Sequence, residues 1–187
     1  MNQIDLKNYL LKQLKIKMNK DLKLNIGITL WTLTSKEIRR FMRIWVQTLV
    51  PPAVTMTLYF VIFGSLIGPR IGEMDGFDYV QFMIPGLIMM SVITGSYANV
   101  VSSFYSVKFQ KSIEELLISP MPNWVILLGF ILGGVTRGVL VGIIVFCVSL
   151  FFYPEFQIAN IGLTITVLLL TSVLFALMGF INAVFAD

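Results

Sequence analysis

The sequence predicts an all-α, polytopic membrane protein: four transmembrane helices, an interfacial amphipathic helix near the N-terminus and a short cytoplasmic helix between two spans. Apolar residues make up 57% of the chain and charged residues only 13%, against about 45–50% and 25% in soluble domains. The mean hydropathy is +0.85, which is more apolar surface than 187 residues can bury in water, so the expected solvent is lipid. Ten of the fourteen Lys and Arg residues lie within residues 1–43.

Four long stretches with almost no charge define the predicted spans. A helix needs about 20 apolar residues to cross a hydrocarbon core of about 30 Å, and each stretch is longer than that. Backbone groups in lipid must form their hydrogen bonds within the segment, which excludes isolated strands. Proline removes a backbone donor, so helix kinks are predicted at Pro51, Pro52 and Pro85. The predicted spans are residues 44–67, 79–107, 124–152 and 160–186.

Loop charges orient these spans. The loop before residue 79 carries three acids and one Arg, and the loop at 153–160 carries Glu155 without any Lys or Arg. The segment between the second and third spans contains Lys108 and Lys111. Because cytoplasmic loops are enriched in Lys and Arg, that segment and both termini are predicted to be cytoplasmic. A basic arm can also bind nucleic acid, but its place beside a hydrophobic run favours the bilayer, and no nucleic-acid partner is expected.

The residues just before the first span predict an amphipathic helix in the membrane interface. Large apolar residues recur at helical spacing, with cations on another face, as expected for contact with acyl chains and lipid phosphates. A solvated helix leading into the span is the alternative, but tryptophan favours the interface. Residues 1–27 form a basic extension, and residues 28–187 form the transmembrane domain. The apolar set is Trp31, Ile38, Phe41, Met42 and Trp45, and the cations are Lys36, Arg40 and Arg43.

A second amphipathic segment lies between the second and third spans. Its apolar residues fall on one helical face, and Pro120 predicts that the helix ends at Ser119. Such a helix either rests on the membrane surface or inserts its apolar side chains into a groove of a cytoplasmic partner, and periodicity alone does not decide between the two. The apolar face consists of Phe109, Ile113, Leu116 and Leu117, and Lys108, Lys111 and Glu115 lie off it.

Arg137 is the one charged residue inside a predicted span. A cation there costs about 2.5–3.5 kcal/mol on insertion scales, which makes it a candidate functional residue. It either faces protein, in a packing contact or a substrate path, or extends to the lipid phosphates. Beside it, Gly133, Gly134 and Gly138 predict a small face that lets another helix approach closely.

The residue inventory excludes most kinds of active site. The chain has no His and a single cysteine, Cys147, so an imidazole site, a CxxC pair and an intrachain disulfide are excluded. No G-x-x-x-x-G-K-[ST] phosphate loop occurs, so this chain is not expected to bind ATP. Glu114 and Glu115 are adjacent, and neighbouring helical positions point about 100° apart, so the two do not form a catalytic pair. No catalytic residue, cofactor or metal site is predicted.

Several motifs, in order along residues 28–187, resemble those of the ABC-2-type transporter permeases. One is the run 79–90, which contains Pro85-Gly86, and another is the run 114–122. The runs 39–52 and 133–138 resemble in particular the inner-membrane permeases of this family, which implies a location in the cell inner membrane.

The resemblance implies a permease subunit of an ATP-driven exporter that works as a homodimer with two separate ATPase subunits. In such exporters the segment matching residues 108–119 is a coupling helix seated in a cleft of the ATPase, so ATP and Mg²⁺ would be bound by that partner. The substrate is not indicated, since amphiphilic drugs, lipids and polysaccharides all fit. The ATPase-docking residues implied are Phe109, Ile113, Glu114, Glu115, Leu116 and Leu117.

The chain departs from the family pattern in two ways. Family members usually have six spans, and they usually lack an N-terminal extension such as the one predicted here. Small and polar residues of the fourth span, such as Gly179 and Asn182, are therefore expected to face helices that this chain does not supply. Interhelical hydrogen bonds, rather than ligand contacts, are expected of Asn99 and Asn182.

Two other functions compete with the permease interpretation. A membrane scaffold could dock a cytoplasmic partner without transporting anything. A secondary carrier is less favoured, because the predicted spans contain no Asp or Glu to couple cation movement to transport.

Overall fold

The chain is a polytopic all-α membrane protein with four helices that are long and apolar enough to cross a bilayer. The computed structural model describes residues 26–74, 77–118, 121–154 and 160–186, so nearly all of the predicted N-terminal extension lies outside the described residues. The four predicted spans are confirmed in number and order. The candidate spans are Trp45–Gly64, Tyr79–Phe109, Asn123–Phe152 and Ile161–Phe185.

Beyond the spans, the described residues form one helix before the first span, two short helices, one after the first span and one in the middle segment, and a small hairpin. In the hairpin, two antiparallel strands pair Glu73 with Asp78 and Met74 with Phe77. The elements are α1 (26–43), α2 (Trp45–Tyr59), a π-helical segment (Phe60–Ile67), α3 (Gly68–Ile71), β1 (Glu73–Met74), β2 (Phe77–Asp78), α4 (Tyr79–Phe109), α5 (Ser112–Ile118), α6 (Asn123–Phe152) and α7 (Ile161–Phe185).

Glycine allows α4 to pack closely against α6 and α7. A Cβ atom added at Gly142 of α6 would lie 2.6 Å from Val92 Cγ2, and one added at Gly179 of α7 would lie 2.9 Å from the Tyr97 carbonyl oxygen. At Gly138 an added Cβ would overlap Ser96. Any side chain at these positions would push the helices apart, so the predicted small face of α6 is confirmed as a surface for close helix contact.

The fourth span also faces α4, which corrects one expectation from the sequence. Gly179 is buried against Tyr97, and the Asn182 side-chain amide donates a hydrogen bond to the Tyr97 hydroxyl. These small and polar residues therefore contact a helix of this chain rather than one it lacks. The interhelical hydrogen bond predicted for Asn182 is confirmed.

Two clusters of apolar side chains hold the bundle together at its opposite ends. In the α1-end cluster, the Phe104 ring packs 5.5 Å from Phe130 and 4.6 Å from Phe180, centroid to centroid. In the hairpin-end cluster, Phe60 stacks on Phe152 at 5.8 Å. The α1-end cluster comprises Leu33, Val100, Phe104, Ile126, Phe130, Ile131, Ala176 and Ala183, and the hairpin-end cluster comprises Leu49, Met56, Phe60, Ile84, Leu87, Val141 and Val145.

All three prolines with predicted kinks lie inside helices. Pro51 and Pro52 lie in the middle of α2, and Pro85 lies in α4, which continues to Phe109. The first span changes from α-helix to π-helix at Phe60, after the proline pair. π-helices are rare in proteins, and many of those known lie at functional sites. The first span is the only one of the four described spans that contains a π-helical segment, so it is the least regular.

Candidate functional site

The helix α1 is set off from the first span by a break at Ile44. The backbone there leaves the helical region, with φ −114° and ψ 35°, and α2 starts at the next residue. The break lets α1 turn one of its faces against the bundle. We call the buried row Leu33, Glu37 and Phe41 the inward row, since its members are 6%, 1% and 1% exposed.

The inward row divides the apolar face that the sequence predicted for α1. Phe41 is buried in protein, whereas Trp31 and Trp45 are exposed. Met42 is exposed as well. Only part of the predicted apolar face therefore remains available to lipid, because the other part packs against the spans.

A buried ionic network fixes α1 to α4. The Arg40 Nε donates to the Glu37 carboxylate at 3.2 Å, and Ser103 Oγ donates to the same carboxylate oxygen. The Arg40 Nη2 donates to the Asn99 carbonyl at 3.1 Å and to the Asn99 side-chain oxygen at 3.0 Å. A buried carboxylate is tolerated when it is paired and hydrogen-bonded, as Glu37 is here. The interhelical role predicted for Asn99 is confirmed.

The sequence interpretation missed this network, because it placed Arg40 on the lipid-facing side and did not single out Glu37. A signal was present: Glu37 follows Leu33 by four residues and precedes Phe41 by four, so the three share one helical face. Arg40 is three residues beyond Glu37, the spacing of a helical ion pair. An acid on the apolar row with a cation one turn away indicates a buried pair.

Glycines of α6 make room for α1. A Cβ added at Gly133 would lie 2.6 Å from the Glu37 Cβ, and one added at Gly129 would lie 2.9 Å from the Leu33 Cβ. The small face of α6 thus serves two neighbours, with Gly129 and Gly133 toward α1 and the following glycines toward α4.

Arg137 lies one turn beyond Gly133 on α6 and contacts the first span. Its Nη2 donates to the Thr48 carbonyl at 3.4 Å. In a regular helix, the amide four residues later would bind that carbonyl, but Pro52 has no N–H to donate. The proline therefore frees the Thr48 carbonyl, and the Arg137 guanidinium takes the place of the missing donor.

The polar groups in this region are not all satisfied. Among the described residues, Thr34 Oγ1, Asn99 Nδ2 and Arg137 Nε are buried and have no hydrogen-bond partner. Asn99 Nδ2 is directed toward α6, 3.7 Å from the position that a Cβ of Gly133 would occupy. An unpaired buried polar group costs about 1–3 kcal/mol, so these three atoms lower the stability that the contact between α1, α4 and α6 provides.

The middle segment is divided into two pieces, where the sequence predicted one amphipathic helix. The helix α4 ends at Phe109, and Lys111 takes a left-handed conformation with φ 57° before α5 begins. Phe109, which is 77% exposed, is thereby separated from the α5 side chains. Ile113 and Leu116 pack against the α1-end cluster instead of pointing outward.

The exposed side of α5 is formed by other residues. Glu114 and Glu115 are exposed, and Ile118 is 85% exposed at the end of the helix. Sequence reasoning did not select Ile118. The Leu117 side chain, Ser119 and Pro120 lie outside the described residues. The outward surface that could meet a partner therefore contains Phe109, Glu114, Glu115 and Ile118.

The end of α7 lies beside the middle segment. Lys108 Nζ donates to the Val184 carbonyl at 3.3 Å and also to the Ala186 carbonyl. A cation is favourable at a helix C-terminus because the last carbonyls have no partners within the helix. α1, α5 and the end of α7 are thus gathered at one end of the bundle.

An open groove of about 330 Å³ lies along α4 near the hairpin. Gly86 lines the groove, and a Cβ added there would meet no atom within 4 Å. The lining is mostly apolar and contains no charged residue. The groove is lined by Tyr79, Phe82, Met83, Gly86, Leu87 and Met90.

Comparison with known proteins gives one family. Residues 29–187 match the family model described as ABC-2 type transporter. The chain is 60% identical over 159 residues to the inner membrane transport permease YadH of Escherichia coli strain K12, and to the proteins of the same name from Escherichia coli O157:H7 and Shigella flexneri. The match covers 85% of this chain and 62% of each relative, so the chain spans about three-fifths of their length. No solved structure matches it.

Proposed function

Because this chain belongs to the ABC-2 type transporter family, we propose that it forms the membrane-spanning permease part of an ATP-driven exporter in the cell inner membrane. The relatives named as inner membrane transport permeases support the location and the transport role. The sequence has no phosphate loop, so ATP and Mg²⁺ would be bound by a separate ATPase subunit. Two copies of the permease would form the path together.

The observation that carries the proposal is the packing of α5, which buries one face against the bundle and leaves the other exposed. Its Ile113 and Leu116 are anchored in the α1-end cluster, while Glu115 and Ile118 remain outside. A helix that is only seven residues long is marginal alone, so its stability comes from this anchoring. α5 is thus packed on the bundle through one face, and its exposed surface is apolar at Ile118 and acidic at Glu114 and Glu115. Such a surface suits insertion into a cleft of a partner protein.

Because α5 packs on the α1-end cluster, a movement of α5 would also move the helices that contribute to this cluster. The α1-end cluster also contains Leu33 of α1 and Phe104 of α4. An ATPase that moves α5 would therefore move side chains belonging to several helices at once, because packed cores transmit strain. A polar loop resting on the surface would not provide such a connection.

Co-purification with the ATPase tests the docking surface. Ile118→Asp should insert into the membrane normally but lose the ATPase, because an unpaired carboxylate in an apolar cleft costs several kcal/mol. Phe151→Asp is the matched control, since Phe151 is 84% exposed and lies at the opposite end of the bundle. Equal recovery of the ATPase with both variants would contradict docking through α5.

Flux measurements separate the exporter from a scaffold or a carrier. Vesicles that contain the permease and its ATPase should move substrate only when ATP is hydrolysed. Flux driven by an ion gradient without ATP would indicate a carrier. An ATPase that binds in the absence of any flux would indicate a scaffold.

A further inference from the structure

The cations that α1 exposes are not those that pair within the protein. Lys36, Arg39 and Arg43 are exposed and spaced by three and four residues, so they form one strip, which we call the cationic strip. Glu37 is the only acid of α1, and its carboxylate is buried and paired with Arg40. Within the described part of the chain this is the only ion pair, so the cationic strip has no acid to neutralise it.

A second exposed strip of α1 is apolar. Its members, Ile28, Trp31 and Met42, are all exposed. At roughly 100° per residue these side chains group on one side of the helix, and the cationic strip and the inward row take the other two sides. The helix α1 therefore has three different faces: one buried in protein, one exposed and apolar, and one exposed and cationic.

The depth of α1 places these faces at a membrane surface. α4 has 31 residues and is about 46 Å long, so it exceeds a hydrocarbon core of about 30 Å by about 8 Å at each end. The α1 contacts on α4, Ser103 and Asn99, lie six and ten residues from its end, or about 9–15 Å along the axis. With an overhang of about 8 Å, these contacts lie about 1–7 Å inside the hydrocarbon core. α1 thus lies on the acyl-chain side of the boundary, and the long side chains of Arg39 and Arg43 extend from it to the headgroup phosphates.

We propose that the cationic strip of α1 binds acidic phospholipids in preference to zwitterionic ones. The apolar strip would contact the acyl chains of the same lipid whose headgroup phosphate meets Arg39 and Arg43. An acidic protein surface or a nucleic acid would match the cations but not the adjacent row of exposed tryptophan, isoleucine and methionine. A net positive strip also has more to gain from a lipid that carries a net negative charge than from one that carries none.

Competition for a fluorescent lipid tests this proposal. The purified full chain in detergent is mixed with dansyl-phosphatidylglycerol, and energy transfer from tryptophan reports the bound lipid. Unlabelled phosphatidylglycerol should displace the probe at a concentration at least tenfold below that of phosphatidylcholine. Each cation near an acidic surface contributes about fivefold, so R39Q/R43Q should reduce this preference at least tenfold. The preference should also weaken at high salt.

A matched control separates the strip from net charge. R70Q/K111Q removes the same number of charges from two exposed positions outside α1 and should keep the wild-type preference. Gel filtration checks that both variants elute like the wild type, and the single variants R39Q and R43Q, each expected to lose about fivefold, are used if the double variant aggregates. An unchanged preference in R39Q/R43Q, an equal loss in the control, or displacement of the probe by inorganic phosphate at the same concentration would overturn the proposal.

Discussion

Glu37 and Arg40 form an unequal pair within the network at α1. Glu37 is 1% exposed, whereas the Arg40 side chain is 31% exposed and can reach toward the surface. Removal of Arg40 would leave a buried carboxylate with Ser103 alone, and breaking a buried pair in this way costs about 3–5 kcal/mol. Removal of the Glu37 charge would cost less, because the remaining cation has access to water and to the Asn99 oxygens. Removal of Arg40 is therefore expected to lower the stability of the protein more than removal of the Glu37 charge.

The contact between Arg137 and the Thr48 carbonyl can be tested by a double-mutant cycle. Arg137→Ala should lower the thermal midpoint in detergent, with a loss of about 1.5 kcal/mol, the lower end for a hydrogen bond from a charged donor, because the contact is 3.4 Å long. Pro52→Ala restores the backbone amide that can bind the Thr48 carbonyl within the helix. In the Pro52→Ala background the effect of Arg137→Ala should shrink, because the carbonyl no longer depends on the guanidinium.

Additive effects of the two substitutions would show that Arg137 acts independently of the proline. Arg137→Lys gives a further check, since a lysine lacks the planar fork and should restore only part of the stability. If the family role of the chain is correct, ATP-dependent export should follow the same order among these variants.

At the scale of elements, the sequence was sufficient for the four spans but not for how α1 and α5 are placed. The spans follow from apolar length, and the close helix contacts follow from the glycines of α6. The inward face of α1 was missed because apolar periodicity does not register an acid such as Glu37. The break before α5 was missed because Lys111 adopts a left-handed conformation, which in sequences is usually signalled by Gly or Asn and not by Lys.

The approach of α1 to α6 predicts a large difference between two glycine substitutions. Gly133→Ala should destabilise the protein, because its methyl group would lie 2.6 Å from the Glu37 Cβ and would separate the two helices. Gly86→Ala introduces the same methyl group into open space and should be neutral, or stabilising by up to about 1 kcal/mol through helix propensity. Thermal unfolding in detergent measures both variants, and similar midpoints would refute the close contact of α1 with α6.

On the scale of the whole molecule, charge and structure indicate the same division into two ends. α1, α5 and the end of α7 share one end of the bundle, where Lys108 binds the last carbonyls of α7. The acid-rich loop before residue 79 contains the hairpin and lies at the other end. The excess of Lys and Arg at the first end predicts that it is the cytoplasmic one.

Cysteine labelling in intact cells tests this orientation. In a Cys147→Ser background, single cysteines replace Ile118 of α5 and Pro154 after α6, both of which are exposed. A membrane-impermeant maleimide added outside should label position 154 and spare position 118 until the cells are opened. The reverse pattern would invert the topology and remove α5 from reach of a cytoplasmic ATPase.

The buried network also sets an order of events during synthesis. Glu37 leaves the ribosome 66 residues before Ser103, its partner on α4, and still longer before Gly133 makes room on α6. At about 5–20 residues per second, the carboxylate waits several seconds or more before a buried position exists for it. During that interval α1 has no bundle to pack against, and its tryptophan and its cations are suited to hold it at the bilayer surface. The N-terminal helix is thus made first among the described helices and docked late.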